Sequence, residues 1–249
     1  MCFGADASPP DLPADRAGNG GQVHARRLTL TSADGTEFSA TLAAGEVDVG
    51  VVILPDIRGL YPFYEQLAER FADAGHPAIA FDYFGRTAGT GIRGDDFDYQ
   101  AHVAETRLDT LQADTAAALA ALRAETGVRA VVVVGFCFGG TQAFHAAGTP
   151  ELGFDAAVGF YGRLAPARLP SPIDRAAAVE IPVLGLFGGA DQAIPPEDVA
   201  AYDEALAGRA HEFVTYPGAP HSFFDRKYDE FAEACADAWR RVLDFLARL

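Results

Sequence analysis

Four consecutive valines at residues 131–134 lead into Gly135-Phe136-Cys137-Phe138-Gly139-Gly140. An apolar run of that kind reads as a buried strand, and G-x-C-x-G at its end reads as a sharp strand-to-helix turn presenting a nucleophile, with cysteine where serine is commoner. Such a turn folds the chain back on itself, so the residues two before and two after the nucleophile must be nearly free of side chain, as Gly135 and Gly139 are. A thiol at that spot gains acidity, because the following helix directs its positive end at the sulfur and a nearby imidazolium favours the thiolate. The competing reading is a buried structural cysteine after a strand.

A nucleophile of this kind needs a base and an acid that orients the base, in the chain order nucleophile, acid, histidine. Asp191 ends Gly188-Gly189-Ala190-Asp191, just after an apolar run at 183–187, where side chains at a strand end can converge on the turn. His221 lies in Pro217-Gly218-Ala219-Pro220-His221-Ser222-Phe223, a loop after the last strand-like run. His211 opens that strand and reads as structural, while His145 is eight residues beyond Cys137, about two helical turns away. Glu197 and Asp198 read as the first turn of a helix, where negative charge meets the helix dipole. The expected chemistry is acyl transfer through a thioester, with Cys137, Asp191 and His221 as the working set and the Phe138 N–H as one oxyanion donor.

The elements that must position these residues alternate along the chain. Residues 27–31, 37–42 and 49–54 read as strands, and 61–74 as a helix with Leu67, Phe71 and Ala74 at helical spacing before Gly75. A strand at 77–81 precedes an irregular stretch with four glycines between Gly85 and Gly94, and Leu108, Leu111, Thr115, Leu119 and Leu122 then form a helical stripe. Strands at 130–134, 156–160, 183–187 and 212–216 follow. Phe231, Cys235, Ala238, Val242 and Phe245 give a closing helix its buried face. Helices between strands imply an α/β fold, a mostly parallel sheet with helices on both faces. Residues 23–249 read as one domain; residues 1–22, rich in Pro, Gly and Asp, read as an N-terminal arm lying on the domain or disordered.

The GFCFGG turn, the Asp191 and His221 spacing and the His221-Ser222-Phe223 sequence resemble dienelactone hydrolases (carboxymethylenebutenolidases), and the resemblance runs over roughly residues 23–249. It implies the α/β-hydrolase fold and a Cys–His–Asp triad that opens lactones or cleaves activated esters without a cofactor. Leu54-Pro55-Asp56-Ile57-Arg58-Gly59 matches the family's segment after the third strand. Asp56 thereby inherits the role of the acid that can hydrogen-bond the resting thiol, and the Ile57 N–H that of the other oxyanion donor. The family more often carries Glu at the former position. Two arginines bind the substrate carboxylate in the family; Asp82-Tyr83-Phe84-Gly85-Arg86 matches the first position, so Arg86 is carried over. The second falls four residues after the histidine, where this chain has Asp225, with Arg226 next. An Asp facing a carboxylate would repel it, so Arg226 would have to reorient, or Arg58 would take over anion recognition. Aromatic residues including Tyr61, Tyr83, Phe138, Tyr161 and Phe223 each read singly as core and together as the wall of a pocket for a small planar or apolar acyl group.

Composition narrows the alternatives. A formal charge of −16, from 19 basic and 35 acidic side chains, disfavours nucleic acid and anionic membranes, and Lys227 is the only lysine. The N-terminus carries neither a signal-peptide nor a lipid-anchor pattern, and no segment approaches the length of a membrane span. Three scattered cysteines suit a reducing cytoplasm, and the six histidines show no metal-ligand spacing. The expected partner is a small lactone or ester, with no cofactor or metal and a monomeric state. Two further readings stand beside the lactonase: a general small-ester carboxylesterase or thioesterase, and a redox-sensitive binding protein on a hydrolase scaffold.

Overall fold

A computed structural model describes residues 6–18, 24–167, 169–226 and 228–249. The boundary expected between residues 22 and 23 lies outside the described residues. The strands are β1 (Arg26–Thr31), β2 (Glu37–Ala43), β3 (Val49–Leu54), β4 (Ala78–Phe81), β5 (Ala130–Phe136), β6 (Ala156–Phe160), β7 (Val183–Gly188) and β8 (His211–Tyr216). They form one eight-stranded sheet in the order β1-β2-β4-β3-β5-β6-β7-β8. β2 runs antiparallel to both β1 and β4, and every pairing from β4 through β8 is parallel. Strands β3 to β7 are buried at every position, the expected result when both faces of a parallel sheet are covered.

The covering helices are α1 (Pro62–Asp73), the short α2 (Gly85–Ala88) and α3 (Tyr99–Ala104), α4 (Leu108–Thr126), α5 (Phe138–Ala147), α6 (Pro196–Ala205) and α7 (Ala232–Leu246). Phe71 of α1 meets Trp239 of α7 edge-on at 5.1 Å, so these two share a face. Phe136 at the end of β5 packs against Phe63 and Tyr64 of α1, whereas a Cβ on the preceding Gly135 would point into the α5 backbone. Successive strand residues face opposite ways, so α1 and α5 lie on opposite faces. Phe144 of α5 in turn meets Tyr202 of α6 at 5.3 Å. Most of the expected helical stripes are buried, Leu111, Thr115, Leu119 and Leu122 in α4 and Cys235, Ala238, Val242 and Phe245 in α7, while Leu108 and Phe231 at their N-terminal ends are only half-buried. The segment with α2 and α3 carries no long periodic pattern, and sequence periodicity did not reveal its helices. No described helix is long and apolar enough to cross a membrane.

The crossover from β5 to α5 is the tightest point of the fold. Strand pairing aligns Gly135 with Leu54 of β3 and with Gly159 of β6, so the turn emerges at the middle of the sheet. Cys137 adopts φ 54° and ψ −112°, held there by its N–H donating to the Phe160 carbonyl at 3.0 Å. A Cβ on Gly135 would sit 1.9 Å from the Gly139 carbonyl oxygen, and one on Gly139 would sit 2.0 Å from that of Leu54. These are backbone atoms of α5 and β3 and cannot swing aside.

The described part of the N-terminal arm, residues 6–18, is ordered against α1 and α7. Ala7, Pro9, Pro10 and Pro13 are buried, so the arm hides more apolar surface than its composition suggested. Prolines lose little backbone freedom on ordering, and the carbonyls find donors: Trp239 Nε1–H donates to Pro10 O at 3.1 Å. The Ser8 hydroxyl donates to Gln66 Oε1 at 3.0 Å, and Asp11 pairs with both Arg70 and Arg226.

Two outcomes test this description. Gly139→Ala is expected to lower stability by about 3 kcal/mol through overpacking, read as a drop in urea midpoint at constant slope; an unchanged midpoint would contradict the turn geometry. Trp239→Phe, which strips the donor from Pro10, is expected to cost about 1–2 kcal/mol and to speed tryptic cleavage after Arg16. Unaltered protection of Arg16 would show that the arm is not held through this bond.

Candidate active site

Three strand ends converge on one cavity. β5 delivers Cys137, β7 ends in the Gly188-Gly189-Ala190-Asp191 loop, and β8 ends in the loop that carries His221. The last two loops are stitched together by backbone: Gly189 N–H donates to Tyr216 O at 2.8 Å and Ala190 N–H to Ala219 O at 2.9 Å. This approach needs Gly188, where a Cβ would stand 2.5 Å from the Ala219 carbonyl oxygen. The result is an Asp191 Oδ2 to His221 Nδ1 distance of 2.6 Å, with Asp191 buried and His221 only 15% exposed. The other oxygen of Asp191 accepts from the Ala193 N–H at 2.9 Å, which fixes the carboxylate plane. With Nδ1–H donating to a carboxylate, the imidazole presents Nε2 as its basic position.

Cys137 and His221 line the same cavity of about 290 Å³, together with Ile57 and Phe138. Among the described residues, neither the Ile57 nor the Phe138 N–H donates to a protein acceptor. Phe138 is the first residue of α5, so its N–H is one of those a helix leaves without an internal partner. The cavity is otherwise mainly apolar, walled by Val103, Leu169, Pro170 and Ile194. Among the described residues, the non-glycine positions with positive φ are Cys137, Tyr161 and Ser222, all within or beside this cavity. Such conformations cost about 1–3 kcal/mol each and concentrate where function requires them. Tyr161 lies with its ring 5.1 Å from that of His221; burial, reinforced by Cys137 and Asp56, pushes its phenol well above the ordinary range, so it stays protonated.

The remaining expected site residues are not among those lining this cavity. Asp56 is fully buried, and both its oxygens are bound by Arg58: Oδ1 by the backbone N–H at 2.8 Å and Oδ2 by Nη2 at 2.7 Å. Arg58 also stacks 3.9 Å over the Tyr61 ring and donates to its hydroxyl, which holds the guanidinium away from the residues that line the Cys137 cavity. Arg86 is not at the cavity either; it is tied to Asp34, to Asp114 at 2.6 Å and to Ser32 at 3.1 Å, because α2 turns it toward β1 and α4. Arg226 is exposed and paired with Asp11 at 3.0 Å, its N–H donating to Ser8 O. Asp225, which occupies the position expected of an arginine, is buried and accepts from the Ser8 N–H at 3.3 Å: it anchors the arm and does not face the cavity. Phe223 is core, packed on Tyr161 and Tyr216. Conversely, Thr141, Gln142 and Arg163 line the cavity and were not singled out from the sequence. The signal for Gln142 was an amide inside the otherwise apolar Ala143-Phe144 stretch of a buried helix; Arg163 had none beyond its place after a strand end.

Known proteins agree with this architecture. The pattern that defines the dienelactone hydrolase family matches residues 38–249. A Yersinia pestis protein provisionally described as a carboxymethylenebutenolidase is 31% identical over 247 residues, covering 91% of this chain and 89% of its own. One from Methylorubrum extorquens, described in the same way, is 31% identical over 220 residues, covering 84% and 75%. The crystal structure of a protein from Klebsiella pneumoniae, provisionally described as a dienelactone hydrolase, superposes with a TM-score of 0.77 at 27% identity, covering 90% of this chain and all of that one. A Pyrococcus furiosus esterase shares the fold alone, with a TM-score of 0.73 at 16% identity. With the family pattern spanning most of the chain and relatives aligned over nearly its full length, this chain belongs to the dienelactone hydrolase family.

Proposed function

We propose that this family member hydrolyses lactones or activated esters through a covalent thioester on Cys137. The observation that carries the reading is the 2.6 Å contact between Asp191 and His221 on the wall of the cavity that Cys137 lines. In the first step the Cys137 proton passes to His221 Nε2 and the sulfur attacks the substrate carbonyl carbon. The Ile57 and Phe138 amides donate to the developing oxyanion. The tetrahedral adduct collapses as the C–O bond breaks, and His221 returns the proton to the leaving oxygen. Water then enters, gives a proton to His221 and attacks the thioester; breaking the C–S bond releases the acid and restores the thiol. Asp191 holds the imidazole in the productive tautomer throughout.

Thiolate is itself a good leaving group, so the first adduct returns to substrate unless the substrate's own leaving group is comparably good. Enol lactones, aryl esters and thioesters therefore fit, and amides do not. The positions of Arg86 and Arg226, both ion-paired away from the cavity, favour a second reading in which small uncharged esters or thioesters are the substrates. The redox-sensing alternative gains little from the second described thiol: Cys235 is buried and burial pushes its pKa up to about 11, which makes it unreactive.

Burst kinetics with p-nitrophenyl acetate and an enol lactone test the proposal. The wild-type protein is expected to show a burst and a mass increase of about 42 on Cys137, and Cys137→Ala to abolish both. Turnover by Cys137→Ala at the wild-type rate would overturn it. Asp191→Asn is expected to lower kcat by about 10³- to 10⁴-fold with the fold intact, as loss of the tautomer-holding acid does in such triads. A loss below about tenfold would remove Asp191 from the machinery.

A further inference from the structure

Both ends of one buried peptide group are held by tyrosine hydroxyls. The peptide joining Pro55 to Asp56 follows β3 directly and precedes the Ile57 amide by one residue. Its carbonyl accepts from the Tyr83 hydroxyl at 2.9 Å, and its N–H donates to the Tyr64 hydroxyl at 2.8 Å. Tyr83 follows β4, Tyr64 lies in α1, and both are buried. Burial, reinforced by Asp56, pushes both phenols well above the ordinary range, so Tyr83 keeps the proton it donates. The rest of Asp56 is bound too: its backbone carbonyl accepts from the Gly59 N–H at 3.1 Å, and its side chain is held by Arg58. Carbonyl and N–H point in opposite directions across a trans peptide, so the Ile57 N–H, which shares a plane with the Asp56 carbonyl, points out of that turn. Among the described residues it has no protein acceptor, and Ile57 lines the cavity.

Tyr83 also touches the residue that carries the other donor. Its ring meets that of Phe138 edge-on at 5.4 Å, and a Cβ on Gly139 would stand 2.4 Å from the Pro55 carbonyl oxygen. The clamped peptide therefore lies against the turn that carries Cys137 and Phe138. We infer that Tyr83, with Tyr64 opposite, is a positioning residue for the oxyanion: by fixing the Pro55–Asp56 peptide it sets where the Ile57 N–H stands relative to that of Phe138. The inference rests on the reading of Cys137 as nucleophile and adds what holds the oxyanion donors before substrate arrives. Donors already in place need no reorganisation as charge develops, whereas a displacement of about 1 Å can cost about a hundredfold in rate. Removing either hydroxyl leaves one end of a buried peptide group unpaired and free to turn toward another partner.

The test compares inhibition by benzyl trifluoromethyl ketone with inhibition by the matching carbinol, in the wild-type protein, Tyr83→Phe and Tyr64→Phe. Both substitutions keep the ring and remove only the hydroxyl. With the ketone, a bond forms between the Cys137 sulfur and the carbonyl carbon, the C=O π pair becomes an alkoxide lone pair, and the thiol proton passes to His221 Nε2; nothing leaves. The carbinol fills the same space and forms no adduct. Each Ki is read against p-nitrophenyl acetate hydrolysis. The preference for ketone over carbinol is expected to fall about tenfold or more in both variants, and the acetyl burst to slow by a similar factor, while the carbinol Ki holds. A merely structural hydroxyl would lower Tm and leave the preference where it was, which overturns the assignment. So does a parallel weakening of ketone and carbinol, which would mark a change in the pocket and not in the oxyanion donors. Should Tyr83→Phe fail to fold, Tyr64→Phe carries the same readout. Absence of both the acetyl burst and the ketone adduct mass in the wild-type protein would instead refute the nucleophile itself, so the two failures are told apart.

Discussion

A single backbone turn carries the geometry of the cavity. Cys137 is held at positive φ between a strand in the middle of the sheet and the helix that follows. The turn closes only because Gly135 and Gly139 bring β5, α5 and the end of β3 within backbone contact of one another. The same turn leaves the Phe138 N–H at the start of α5 without an internal partner, next in the chain to Cys137, and both residues line the cavity. Strain there is offset by the surrounding sheet, whose central strands are buried on both faces and resist relaxation.

The histidine and its acid depend on a second close approach, this time between two loops. Gly188 permits the Asp191 loop to lie against the carbonyls of the His221 loop, and two backbone hydrogen bonds lock them. Asp191 and His221 are therefore fixed relative to each other before either faces Cys137. The N-terminal arm backs the far side of the His221 loop through Ser8, which contacts both Asp225 and Arg226. Three residues, Ser222, Phe223 and Phe224, separate His221 from Asp225.

Charge is distributed so that little of it meets the cavity. Arg58, Arg86 and Arg226 each have carboxylate partners; the buried Arg58–Asp56 and Arg86–Asp114 pairs are costly to break because the partner is left uncompensated, whereas the exposed Arg226–Asp11 pair contributes little. The polar groups at the cavity are Cys137, His221, Thr141, Gln142, Tyr161 and the exposed Arg163.

The order of the strands and the places of Cys137, Asp191 and His221 at strand ends were legible in the sequence, because a nucleophile turn, a glycine loop after a strand and a histidine loop after the last strand are local patterns with local causes. Strand positions were legible for the same reason, since alternation and apolar runs are imposed by the sheet one residue at a time. The fates of Arg86, Phe223 and Arg226 were not legible, since a side chain's direction is chosen by partners remote in the chain: Asp114 for Arg86, Asp11 for Arg226, Tyr161 for Phe223; Asp56 and Arg58 instead turn to each other, two residues apart. The sequence left the arm open between lying on the domain and disorder, because the prolines of residues 6–18 gain their place only when α1 and α7 supply the surface and the Trp239 donor. Gln142 was visible only as a polar letter in an apolar helix. That its amide is buried and unpaired is a property of packed neighbours, and packing is decided by the tertiary structure alone.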